Sequence, residues 1–234
     1  MMRAVVSRKL GLMACLCAGL ALVHAPQLSA RDAPPEVSPD GLHLQKSTSG
    51  RLVYVKPGAT LAPYKRVAIL DCYVEFEKDW QRDYNASKVG LQGRVSDKDV
   101  ERMKNDLAAE FKKVFTGELQ DKGGYQVVDT AAPDVLVLRP ALLNVEVNAP
   151  DLMTAGIGAT VARSAGQMTL YLELWDSSTN TILARVMDAQ ADRDNFAQVA
   201  SRATNKAAAD RILREWAEQL RKHLDAVQGQ TSGP

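Results

Sequence analysis

Reactive side chains are scarce in this sequence. It has three cysteines and three histidines in 234 residues. Cys15 and Cys17 fall in the first apolar run, so Cys72 is alone in the remainder and can close no internal disulfide. His24, His43 and His223 are far apart, without the spacing of zinc ligands and without a neighbouring G-x-S-x-G turn. No metal and no cofactor is therefore expected. Gly156 and Gly158 in AGIGA form a lone G-x-G that leads into a strand rather than opening a helix after one. That context reads as a flexible loop, not a dinucleotide site.

Charge of one sign is also missing. The chain carries 29 Lys plus Arg against 28 Asp plus Glu. Three of those bases, Arg3, Arg8 and Lys9, and none of the acids precede residue 31, which leaves 26 bases against 28 acids. Phosphate backbones are bound by a concentrated basic face, so nucleic acid is not an expected partner. No apolar run is long enough to span a bilayer either. The longest, Leu10–Val23, falls short of the about 20 residues that a membrane helix needs.

That short run has a different use. Arg3, Arg8 and Lys9 precede it, and HAPQLSA follows it with a small residue, Ala30, for cleavage. This order is that of a secretory signal over residues 1–30, and it implies a periplasmic product. The alternative is an outer-membrane lipoprotein acylated at Cys15, since LMAC resembles a lipobox. However, Cys15 lies in the middle of the apolar run, where a lipoprotein cysteine should close it. Residues 31–40, rich in proline, read as a linker, and QGQTSGP, 228–234, as a loose tail.

Between them, 41–227 carries strand and helix periods in alternation. RLVYV, Arg51–Val55, is a short strand. In RVAILDCYVEF, Val67–Leu70 is apolar on both faces, as in a central strand. The second half alternates, with Leu70, Cys72, Val74 and Phe76 inward and Asp71, Tyr73, Glu75 and Glu77 outward. Cys72 is thus a buried free thiol. Ser96 or Asp97 caps a helix whose stripe runs Val100, Met103, Leu107, Phe111, Val114, Phe115, Leu119, and Asp99 completes a capping-box pattern. Gly123 and Gly124 end it, and YQVVD returns as a strand. Val135–Val147 is a long strand in which Pro140 predicts an edge or a bulge. QMTLYLELWD sends Met168, Leu170, Leu172 and Leu174 inward and Thr169, Tyr171, Glu173 and Trp175 outward, and pairs as a hairpin with TILARVMDAQA. From Asn195 to Val227 the chain is helical, with Phe196, Val199, Ala203, Ala207, Ile212, Trp216, Leu220 and Leu224 as its inner face, and Asn205 as a candidate break. The expected fold class is α/β (α+β): a single domain, a mixed β-sheet with helices packed mainly on one face.

One stretch stands apart. EFEKDWQRDYN crowds Glu75, Glu77, Asp79 and Asp83 beside Trp80, Arg82 and Tyr84. The carboxylates are candidate catalytic groups for glycan hydrolysis, although Lys78 and Arg82 among them also describe a solvated salt-bridge patch. Trp80, Arg82 and Tyr84 are residue types enriched at binding hot spots and are the candidate partner-binding residues, on a loop beyond the strand. Against this stands the reading that Trp80 folds back over the core.

The segments RLVYVKPGATLAPYKRVAILD, EKDWQRDYN, RVSDKDVERMKNDLAAEFKKVF and PDVLVLRPALLNVEVNAPD, in that order, resemble domain of unknown function 3313. The resemblance extends over residues 41–194. It implies an exported bacterial envelope protein with one α/β domain, no established activity, no assigned catalytic residues, and an unknown envelope protein or cell-wall component as partner. Many members are lipoproteins with a lipobox at the end of the apolar run, which this chain lacks.

Mass spectrometry of the protein purified from the envelope should find an N-terminus near Arg31 with no acyl chain. A diacylglyceryl group on an N-terminal Cys15 would contradict the signal reading.

Overall fold

The computed structural model describes residues 33–88, 93–147, 160–162, 166–191, 198–200 and 202–231. The signal segment with Cys15, the Gly156–Gly158 loop and Phe196 lie outside the described residues. In chain order the strands are β1 (His43–Thr48), β2 (Arg51–Val55), β3 (Arg66–Ile69), β4 (Tyr73–Phe76), β5 (Gln126–Val127), β6 (Val135–Val147), β7 (Thr160–Ala162), β8 (Gly166–Asp176), β9 (Thr181–Ala191) and β10 (Gln198–Ala200). The helices are α1 (Trp80–Ala86), α2 (Asp97–Thr116), which continues into a π-helical segment over Gly117–Lys122, and α3 (Arg202–Thr231).

Eight strands form one mixed sheet in the order β1-β2-β9-β8-β6-β3-β5, with β4 also on β6. β1, β2, β9, β8 and β6 pair antiparallel, whereas β3 and β4 run parallel to β6. β7 and β10 make a separate antiparallel pair. Its β10 occupies residues 198–200, where helix was expected.

Strand β6 organises this sheet. Leu70 N donates to Leu138 O at 3.0 Å, so the even-numbered backbone groups of β6, as far as Leu142, face β3 and β4. Pro140 stands among them without an N–H to give. The partner strand breaks at that level. Ile69 pairs with Leu138 and Tyr73 with Ala141, so four steps on one chain oppose three on the other. The extra residue changes which side chains face inward. Val67 and Ile69 are buried before the break, and Val74 is buried after it. Leu70, expected inward, is 46% exposed at the break, and Tyr73 beyond it is 59% exposed. Pro140 thus marks a bulge in the middle of the sheet and not at its edge.

Both long helices lie on one sheet face. Leu136, Leu138, Leu142, Leu170, Leu172 and Leu174 meet Phe111, Val114 and Phe115 of α2 and Ile212, Leu213, Trp216 and Leu224 of α3. A fully buried side chain of this size contributes about 1.5–3 kcal/mol, against about 0.3–0.5 kcal/mol for an exposed i,i+4 pair such as Lys222–Glu218. Packing therefore holds α3 in place. Ala207 of its expected inner face is exposed, and Ala208 is buried instead. The helix passes Asn205 unbroken and continues to Thr231, beyond its expected end at Val227. At the start of α2 the capping box is present: Ser96 Oγ accepts from Asp99 N at 3.2 Å, and Asp99 Oδ2 accepts from Ser96 N at 3.1 Å.

The opposite face is covered in part by the segment read as a linker. Residues 35–42 cross it as a strap. Leu42 packs with Tyr54 and Ile182, Tyr54 Oη donates to the Pro35 carbonyl at 3.0 Å, and Val37 bridges to His43. Asp40 accepts two hydrogen bonds from Arg185, at 3.1 and 2.5 Å. Glu173, expected in solvent, is buried beneath this strap at 7% exposure. Burial alone would raise its pKa, but hydrogen bonds from Tyr171, Arg185 and Trp175 hold it below its ordinary value.

Arg185, with help from the Ser38 hydroxyl, depresses the Asp40 pKa from 3.8 to about 2. A depressed carboxylate stabilises the fold above its unfolded pKa and loses that effect as pH falls through its folded one. The melting temperature of the wild type should therefore fall more steeply than that of Asp40→Asn as pH drops from about 4 to 2. Identical acid profiles would show that the strap is not held by this pair.

Candidate functional site

The stretch EFEKDWQRDYN leaves the sheet as the end of β4 and becomes α1, not a loop. Asp79 turns the chain with φ 64°, a left-handed conformation that Asp tolerates better than most residues. Seven residues make a marginal helix alone, so tertiary ties decide. Gln81 Nε2 donates to Asp97 Oδ1 at 2.9 Å, and Asn85 exchanges hydrogen bonds with the backbone of Val95 at 2.7 and 2.9 Å. These bonds fasten α1 to the entry of α2.

The aromatic residues fasten its other side. The Phe76 and Trp80 rings are 4.6 Å apart, Trp80 and Tyr84 are stacked at 5.7 Å, and Lys88 Nζ lies 4.3 Å over the Tyr84 ring. Trp80 Nε1 donates to Val147 O at 3.3 Å, so its polar edge is used as well. Trp80 and Tyr84 are half-buried. Arg82 points away from them. Its Nε lies 2.9 Å from Asp83 and its Nη1 3.2 Å from Asp79, and these carboxylates, Asp83 first, push its pKa up. Helical spacing, not extended spacing, thus separates Arg82 from Trp80 and Tyr84. Glu75 is exposed on the outer side of β4, where Tyr73 Oη lies 3.5 Å from it, and Glu77 is half-buried. The four carboxylates share no common centre with one another: two belong to Arg82 and two to the strand end.

Among the described residues a concave site lies elsewhere, and Phe76 connects to it. A cleft of about 420 Å³ opens where α2 and the start of α3 diverge over the ends of β4, β6 and β8. This volume lies within the about 300–1,000 Å³ typical of small-molecule sites. Phe76, Met103, Leu107, Val145, Met168 and Ile212 form its walls. Ala208 and Ala209 leave room on the α3 side. Charged groups stand at the rim. Glu110 lies 3.3 Å from Lys113 and 3.8 Å from Lys206, while Asp106 and Glu146 border the same opening. None of Glu75, Glu77, Asp79, Asp83, Trp80, Arg82 or Tyr84 lines this cleft. Met103, Leu107 and Ile212 were visible in the sequence only as members of helical stripes, which do not distinguish a wall from a core.

Cys72 packs half-buried against the main core, and burial pushes its thiol pKa up to about 12. Its thiolate is accordingly rare near neutrality. Among the described residues no helix is long and apolar enough to cross a membrane.

The model of the family described as Protein of unknown function (DUF3313) matches residues 37–220. The chain belongs to that family. The match begins at Val37, inside the strap. Among curated proteins none matches. Three solved structures illustrate the similarity in fold. A PelC dodecamer from Paraburkholderia phytofirmans is 14% identical, covering 73% of this chain and 97% of that one, with a TM-score of 0.37. A hypothetical protein from Chlamydia trachomatis is 10% identical, covering 68% and 98%, with a TM-score of 0.35. A protein from Xanthomonas campestris is 13% identical, covering 71% and 86%, with a TM-score of 0.36. Likeness this loose carries no functional argument.

Trp80→Ala removes an aromatic stack and a hydrogen bond and should cost about 2 kcal/mol or more. Arg82→Ala should stay within about 0.5 kcal/mol. Thermal melts of both variants check this contrast, and an equal loss in Arg82→Ala would show that α1 is held by its ion pairs.

Proposed function

We propose that this family member is an exported bacterial envelope protein that works in the periplasm as a non-enzymatic binding or accessory module. The cleft between α2, α3 and the ends of β4, β6 and β8 is its binding site. The observation that carries this reading is the wall of that cleft. Phe76, Met103, Leu107, Met168 and Ile212 present apolar surface to a concave space, and the charged groups remain at its rim. Such a lining binds by excluding water. The signal-like order of residues 1–30 supports export. Glycan hydrolysis through Glu75, Glu77, Asp79 and Asp83 gains no support from their placement, because Asp79 and Asp83 are engaged by Arg82 and none of the four lines the cleft.

A photo-crosslinking residue placed at Met103 or at Arg82 separates the candidate surfaces in intact cells. The protein should appear in the fraction released by osmotic shock and form adducts from position 103. Retention in the cytoplasm would overturn the export reading. Adducts from position 82 alone would move the binding surface to α1.

A further inference from the structure

The chemistry of the cleft narrows its ligand, given the reading of the cleft as the binding site. We infer that it takes the single aliphatic chain of a zwitterionic amphiphile, with the head group held at the rim. The interior argues for the chain. Phe76, Met103, Leu107, Val145, Met168 and Ile212 give the cleft an apolar wall, and the one neutral polar side chain of its lining, Gln167, is exposed, so a sugar or a peptide backbone set against that wall would be left with unpaired polar groups. An aliphatic chain has no such groups to satisfy. Met103 and Met168 belong to different elements, and their unbranched thioethers adapt to a chain without a fixed shape.

The rim argues for the head group. Lys113 and Lys206 carry two positive charges beside the single carboxylate of Glu110, and both lysine side chains are about 70% exposed. Asp106 on α2 and Glu146 on β6 are carboxylates at the same opening without an ion pair among the described residues. One side of the mouth thus suits an anion and another a cation. A zwitterionic head, such as a phosphate esterified to an amino alcohol, matches both. An anion alone would meet Asp106 and Glu146 with repulsion.

The test uses the full chain and a fluorescent apolar probe, N-phenyl-naphthylamine, displaced by single-chain lipids below their micelle concentrations. A single-chain phosphoethanolamine lipid should displace the probe at a concentration about tenfold lower than a phosphoglycerol lipid or a fatty acid of the same chain length. The head group without its chain should displace nothing. Ala209→Phe fills the cleft from the half-exposed side of α3 and should weaken displacement by about tenfold or more. Leu107→Gln keeps the volume of the wall and alters its polarity, and should act in the same direction in protein shown to be folded by its far-ultraviolet circular dichroism. Asp106→Asn should narrow the preference between head groups while leaving the chain bound. The inference is overturned if no single-chain lipid displaces the probe, if the folded cleft variants bind as the wild type does, or if the anionic lipid competes as well as the zwitterionic one. Adducts to a protein from position 103 would then leave the binding-module reading standing without this ligand.

Discussion

The fold depends on one missing hydrogen-bond donor. β6 runs for 13 residues through the interior of the sheet, with β8 along one side and β3 and β4 along the other. A proline in such a position leaves an acceptor across the ladder without a donor, unless the neighbouring strand departs from register. Here it departs by one residue between Ile69 and Tyr73. That step turns Cys72, Val74 and Phe76 to the helix-covered face. Without it, unbroken alternation from Val67 and Ile69 would turn Tyr73 and Glu75 inward.

The consequences reach the candidate site. With Phe76 inward, its ring forms a wall of the cleft on one side and the base of the Trp80–Tyr84 stack on the other. The stack fixes α1, and α1 in turn is hydrogen-bonded to Val95 and Asp97 at the entry of α2. The N-terminal end of α2, with its capping box, is thereby set relative to β4. A cleft that needs Met103 and Leu107 opposite Met168 and Ile212 is held open by these ties.

Features that depend on near neighbours in the chain were legible in the sequence. The inward set Met168, Leu170, Leu172 and Leu174, the hairpin of β8 and β9, and the Ser96–Asp99 capping box are of this kind. So was the disturbance at Pro140, although the sequence could not place it at the centre. Features made by distant segments were not legible. The burial of Glu173 comes from a strap more than 130 positions earlier in the chain, and Asp40 and Arg185 signal nothing until they meet. α1 lacks an amphipathic stripe long enough to read, because its hold consists of hydrogen bonds and a ring contact to residues outside it. The walls of the cleft come from five elements, and each wall residue alone is an ordinary member of an apolar pattern.

The reactivity of Cys72 measures the strand break most directly, because the side on which this thiol lies is set by the one-residue step at Pro140. A thiol reagent applied near neutral pH, to the native protein and to the protein in denaturant, reads that side. The inward orientation and the raised thiol pKa predict slow labelling in the native state and rapid labelling when the chain is unfolded. Equal rates would put Cys72 on the open face and contradict the step in register on which the placement of Phe76 and the cleft depends.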